Sequence, residues 1–287
     1  MNTSTITRLA LPAAEHAGLP VGSVDVLPSR AAARWPTRTA LVGAGEAVTF
    51  AELDRRISRL ASGFRDLLGG DHSVVAVSAV PGVQFAIAYY AVARSGNVIA
   101  PINPRIGAEV LVRLLVSLGA RAAVLSRDTY DRARPALARL DQLEHVLLLD
   151  RPTAEPSPLT CAELAGRGDL LVEPRDRDEN ELGAITLGPD GAGYAKGAER
   201  CHHSLKVEAA RIGRTHGLSA DAVALTAMPS YRQEYLNAAI LAGATQVFCA
   251  SADPAVVARE AERHAASHCY APGVRAPATV ERRAVAS

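Results

Sequence analysis

The sequence predicts an α/β fold of layered, mostly parallel sheets flanked by helices. Short apolar runs of strand length alternate with segments of helical period along most of the chain. Residues 74–79 are apolar apart from Ser78, as expected of a strand covered on both faces. The 287 residues suffice for one large α/β domain or two modest ones, with a sizeable core.

A Pro/Gly-punctuated arm occupies residues 1–22, and a first α/β subdomain is expected over 23–150. Within it, 24–35 reads as a helix stopped by Pro36, and 39–42 with 47–49 as a hairpin across Gly43-Ala44-Gly45-Glu46. Thr49 and Glu52 have capping-box spacing. Leu53, Ile57, Leu60, Phe64 and Leu67 follow at helical period until Gly69-Gly70. Strands are predicted at 74–79, 98–102, 122–125 and 146–149, with helices at 83–94, 108–118 and 132–140 between them. Residues 151–182 lose this patterning. A short helix at 161–164 lies between a Pro-rich stretch and the charged run EPRDRDENE, which reads as a linker or solvated surface excursion. Alternation resumes in a second subdomain, 183–273. Its strands are placed at 184–187, 222–227, 246–249 and 268–271, and its helices at 203–214, 234–241 and 255–264. Residues 274–287 read as a polar tail.

Composition narrows the function classes. Apolar residues make up 48% and charged residues 21%, which is ordinary globular usage. Lysine and arginine number 31 against 30 acids, and aromatics are 4%, so neither a basic field nor stacking platforms point to nucleic acid. No apolar run is long enough to span a bilayer, and the N-terminus lacks a signal-peptide core, so a cytoplasmic location is expected. Cys161, Cys201, Cys249 and Cys269 are widely spaced and read as free thiols.

The chemical signal lies in AITLGPDGAGYAKGAERCHHSL, residues 184–205. It reads strand, glycine-rich loop, lysine, helix. Backbone N–H groups of such a loop cradle phosphate, and a lysine neutralises its charge. Gly188, Gly191, Gly193, Lys196 and Gly197 are the candidate phosphate-binding residues. No Ser or Thr follows Lys196-Gly197, so this is not a Walker A loop.

The segment resembles the hallmark loop of the adenylate-forming acyl- and aryl-CoA ligases, roughly [YF]-T-S-G-T-T-G-x-P-K-G with V-x-x-[TS]-H-x-N-L after it. Aligned on Lys196-Gly197, the chain keeps Gly193, His202 and Leu205, with Ser204 in place of asparagine. The likeness extends over residues 25–273. It includes RAAARWPTRTALVGAGEAVTFAELDRRISRLASGF and a later stretch, DAVALTAMPSYRQEYLNAAILAGATQVFCASADPAVV, where the family carries L-P-x-F-H and G-A-T. The resemblance implies the front part of the family's large N-terminal domain. It also implies an acyl or nucleotide ligand, with ATP or AMP and magnesium as weakly held cofactors.

The loop departs from that pattern. Gly188, Pro189, Gly191 and Ala192 stand at hydroxyl positions, and Asp190 replaces a glycine. Each lost hydrogen bond to a charged phosphate is worth about 1.5–3 kcal/mol. A carboxylate about 4 Å from a phosphate charge adds about 1–4 kcal/mol of repulsion. Pro189 also removes a backbone donor. Arg232 stands where the family has histidine, and nothing in the chain matches the family's later adenine, ribose and hinge motifs. The expectation is therefore a catalytically incompetent, truncated homologue: a binding, scaffolding or regulatory protein acting through a protein partner or self-association. Exposed apolar surface is expected to provide that contact. The alternative is acyl adenylation as one half of a split ligase completed by a partner. A metal site at Cys201, His202, His203 and His216 is not expected, because adjacent histidines on a helix diverge. Tyr89 and Tyr90 read as core.

Overall fold

The computed structural model describes residues 18–69, 72–149, 158–168, 177–187, 198–227 and 233–271. Its first elements are α1 (Val26–Arg34), the hairpin strands β1 (Thr39–Gly43) and β2 (Glu46–Thr49), and the long helix α2 (Phe50–Leu68). Then come β3 (Val74–Ser78), α3 (Val83–Ser95), β4 (Val98–Ile102), α4 (Ala108–Leu118), β5 (Ala120–Leu125), α5 (Arg127–Leu137) and β6 (His145–Leu148). After α6 (Cys161–Arg167) follow β7 (Leu182–Thr186), β8 (Ala198–Cys201), α7 (His202–His216) and β9 (Val223–Thr226). The last elements are α8 (Gln233–Ala242), β10 (Thr245–Phe248), α9 (Pro254–Arg263) and β11 (His268–Tyr270).

Local chemistry sets several boundaries. Thr49 caps α2 by accepting from the Glu52 amide at 3.2 Å, and Gly69 ends the helix. The Glu52 side chain does not close the box; it pairs with Arg55 and Arg56 instead. A complete capping box forms at Thr160 and Glu163, at the start of α6. The helix predicted at 132–140 actually occupies Arg127–Leu137. Ser126, directly after β5, caps it by accepting from the Thr129 amide, so the helix starts five residues earlier than the apolar spacing implied. The segment read as continuous loop before His203 contains β8. That polar strand has no apolar run to announce it and is fixed by antiparallel pairing with β7.

One sheet has the order β11-β9-β10-β1-β2 and the other β6-β5-β3-β4-β7-β8. All pairings are parallel except the two hairpins, β1–β2 and β7–β8. The 23–150 and 183–273 segments interleave. The early hairpin completes the sheet built on β9, β10 and β11, and the late hairpin extends the sheet built on β3 to β6.

Helix α3 lies between the sheets, touching β1 of one and β3 and β4 of the other. That explains its apolar character all round: every residue from Phe85 to Ser95 is buried. Tyr89 and Tyr90 are fully buried here, and both share Asn237 of α8: Tyr90 donates to its Oδ1 at 2.8 Å, and its Nδ2 donates to Tyr89 at 3.1 Å. Strand β3 shows the period-2 logic of a covered sheet. Val75 and Val77 enter the inter-sheet core, while Ala76 joins the layer under α4 and α5. Helix α9 closes the outer face of the other sheet through Val257 against Leu225 and Val247.

The helix termini around the core are tied together by Arg94, fully buried in the last turn of α3. Its guanidinium donates to Asp25, Ser29, Asp54 and Ser58, with an Nε–Oδ2 distance of 3.2 Å to Asp25 and an Nη2–Oδ1 distance of 2.7 Å to Asp54. Asp25 stands at the N-cap of α1 but makes no capping bond, because its carboxylate is engaged by Arg94 and Ser23. The large apolar side chains that are exposed, among the described residues, are Val21 and Val116. The broad apolar face expected from the sequence is not found among them.

Candidate nucleotide-loop site

The glycine-rich segment connects β7 to β8. Gly188, Gly191, Gly193, Lys196 and Gly197 all lie outside the described residues, as does Arg232. The two feet of the segment are described. Thr186 pairs with Ala198 across the hairpin, and its hydroxyl donates to the Ala198 carbonyl at 3.2 Å. β7 lies parallel to β4 through Ile99 and Ala184, so the segment leaves the sheet at the carboxyl ends of its parallel strands. That is where open α/β sheets bind ligands.

The helix that follows is rigidly seated. Cys201 is its N-cap: the sulfur accepts from the Ser204 amide at 3.4 Å, and the Ser204 hydroxyl returns a bond to the Cys201 carbonyl at 2.8 Å. His202 is fully buried, and its Nδ1 accepts from the Val24 amide at 3.2 Å. Burial, reinforced by the positive charges of Arg177 and Lys206, pushes the imidazole down to about 3, so the ring is neutral. The ring fills the space beside Gly183, where an added Cβ would sit 2.5 Å from Nδ1. Only glycine allows this approach of strand β7 to α7.

One turn later, Lys206 is also fully buried. Its ammonium donates to the carbonyls of Pro20 and Gly22, both at 2.6 Å, and to the Glu179 carboxylate at 2.8 Å. Burial alone would raise the Glu179 carboxyl, but Lys206 and His203 hold it below the usual range. His203 Nδ1 lies 3.0 Å from Glu179. The charged run is therefore not merely solvated surface, since Glu179 anchors it to α7. Arg177 and Glu181 pair at 2.5 Å beside it.

The sequence singled out His202 but missed Lys206, Gly183 and Arg94. The signal for Lys206 was its position four residues after His202, which puts both on one helix face. Cys201, His202, His203 and His216 do not converge. His216 lies at the far end of α7, bonded to the Tyr270 hydroxyl at 3.0 Å. No cluster of three or more metal-ligating side chains occurs among the described residues. No described helix is long and apolar enough to cross a membrane.

Two parallel sheets, each completed by an antiparallel hairpin, with helix α3 between them and a glycine-rich segment joining β7 to β8 ahead of α7, define the class: a layered α/β domain. The family model described as AMP-binding enzyme matches residues 28–276, and the chain belongs to that family. It is 28% identical over 258 residues to a salicyl-AMP ligase / salicyl-S-ArCP synthetase of Mycobacterium tuberculosis, covering 84% of this chain and 45% of the relative. It is likewise 28% identical over 242 residues to a feruloyl-CoA synthase of Amycolatopsis sp, covering 82% of this chain and 46% of that one. Among solved structures, apo MbtA of Mycobacterium smegmatis superposes with a TM-score of 0.80 at 26% identity, over 90% of this chain and 51% of that chain. An anthranilate CoA ligase with bound anthranoyl-AMP shares the fold, with a TM-score of 0.81 at 15% identity, over 88% of this chain and 50% of that one. The chain thus spans about half the length of these relatives.

Proposed function

We propose that this AMP-binding family chain does not adenylate an acyl group by itself and works as a binding, scaffolding or regulatory protein, through a protein partner or a second copy. The donor set of the loop carries this reading. The positions that would supply hydroxyls to a triphosphate hold Gly188, Pro189, Gly191 and Ala192, and Asp190 brings a negative charge to the cradle. These residues do not fit Mg-ATP, and the losses run to several kcal/mol. Meanwhile the core of the described residues keeps its buried polar ties, from Arg94 to the Tyr89–Tyr90–Asn237 cluster.

A second reading is acyl adenylation in concert with another polypeptide. Lys196-Gly197 is retained, and the relatives are named as ligases and synthetases. Calorimetric titration with Mg-ATP tests the first reading. The chain should bind only weakly, and Asp190→Gly should tighten binding by roughly tenfold or more, in line with the repulsion it removes. ATP–pyrophosphate exchange at a ligase-like rate by the purified chain would overturn the first reading. Exchange that appears only with a second polypeptide would establish the second.

A further inference from the structure

Residues Gly18 to Val21, helix α1 and the end of α8 line an open cleft of about 560 Å³. Part of its wall is apolar, formed by Leu19, Leu27, Ala31, Trp35, Ile240 and Leu241. Two cations also line it, Arg30 and Arg34. They stand four residues apart on α1, where like charges share a helix face and repel each other. Neither has a carboxylate partner among the described residues. The Arg34 guanidinium lies over the Trp35 ring, 4.9 Å from its centroid.

The walls are held in place. Pro20 lines the cleft, and its carbonyl is bound by the buried Lys206 ammonium at 2.6 Å. The Trp35 ring packs against Gly243, where an added Cβ would sit 2.5 Å from the ring. Val21, the most exposed large apolar side chain among the described residues, lies on the same wall. A cleft of this size with a partly apolar wall and a few convergent charges suits a small ligand. An apolar tail would cover the apolar part of the wall, and an anionic head would relieve the repulsion between the arginines.

We propose that this cleft is a binding site for a small amphipathic carboxylate, its alkyl or aryl tail against Trp35 and Ile240 and its carboxylate between Arg30 and Arg34. The site is built from the segment before α1, from α1 and from the end of α8, none of which belongs to the glycine-rich segment 188–197. Trp35 is the sole tryptophan of the chain, so the emission comes from a residue on the cleft wall. The test is a titration with sodium octanoate, followed by Trp35 fluorescence, with 1-octanol as the neutral comparison. Octanoate should produce a saturable change that octanol does not. The double substitution Arg30→Glu/Arg34→Glu, on exposed side chains without ion pairs among the described residues, should weaken the response at least tenfold while leaving circular dichroism unchanged. Should that variant fail to fold, Arg30→Gln/Arg34→Gln carries the same expectation. A response that does not saturate, that octanol reproduces, or that survives loss of both arginines overturns the proposal.

Discussion

Acidification from pH 7 to pH 5 should destabilise this fold chiefly through His202. Its ring is fully buried, and burial is the main cause that takes its pKa from 6.5 to about 3. In the unfolded chain the imidazole titrates near its ordinary value. Between pH 6.5 and pH 3 the unfolded state therefore binds more protons than the native state, and stability falls as pH drops through that window. At pH 5, roughly 1.5 units below the unfolded pKa, the loss is about 2 kcal/mol. Burial also lowers His216, which adds in the same direction. Glu144, Glu163 and Glu179 are held low as well, but their contributions are lost only below about pH 4.5, so the window from 7 to 5 isolates the imidazoles. Urea unfolding of the wild type and His202→Gln at pH 7, 6 and 5 measures the effect. The gap in unfolding free energy between the two proteins should narrow by about 2 kcal/mol on going from pH 7 to pH 5. If the two unfolding curves shift in parallel, the ring is not held neutral and the reasoning fails.

Other perturbations test the contact of β7 with α7 and the buried ion pair between α3 and the start of α1. Gly183→Ala forces a methyl into the His202 ring and should cost about 1–3 kcal/mol, read as a fall in the urea midpoint; an unchanged midpoint would show that β7 and α7 can separate freely. Arg94→Met leaves the fully buried Asp25 without its cation and should cost about 3–5 kcal/mol. A loss under 1 kcal/mol in thermal unfolding would mean that solvent reaches Asp25 readily.

Much of the fold was legible because apolar patterning reports burial. The run from Val74 to Ser78 announced a covered strand, and the periodicity of Leu53, Ile57, Leu60 and Phe64 announced α2. Where patterning is silent, the sequence misled. β8 is polar because it is an edge strand, and nothing in Ala198–Cys201 distinguishes it from a loop until β7 is beside it. α5 begins at a capping serine rather than at an apolar residue. The candidate site divides in the same way. Its glycines, Lys196 and His202 are visible as a motif, whereas Lys206 is a lysine like any other until the carbonyls of Pro20 and Gly22 close around it.

The sequence alone determined the alternation of strands and helices, the family likeness and the loss of hydroxyls from the loop, because each depends on residue type and spacing along the chain. The tertiary structure decided that the early hairpin joins the late strands in one sheet, and that Arg94 and Lys206 are buried hubs. It also decided that Arg30 and Arg34 line an open cleft with Trp35. These depend on contacts between residues far apart in the chain, some separated by more than 180 positions as in the bond from Lys206 to Pro20, and such pairings are set by the free energy of the whole packed core.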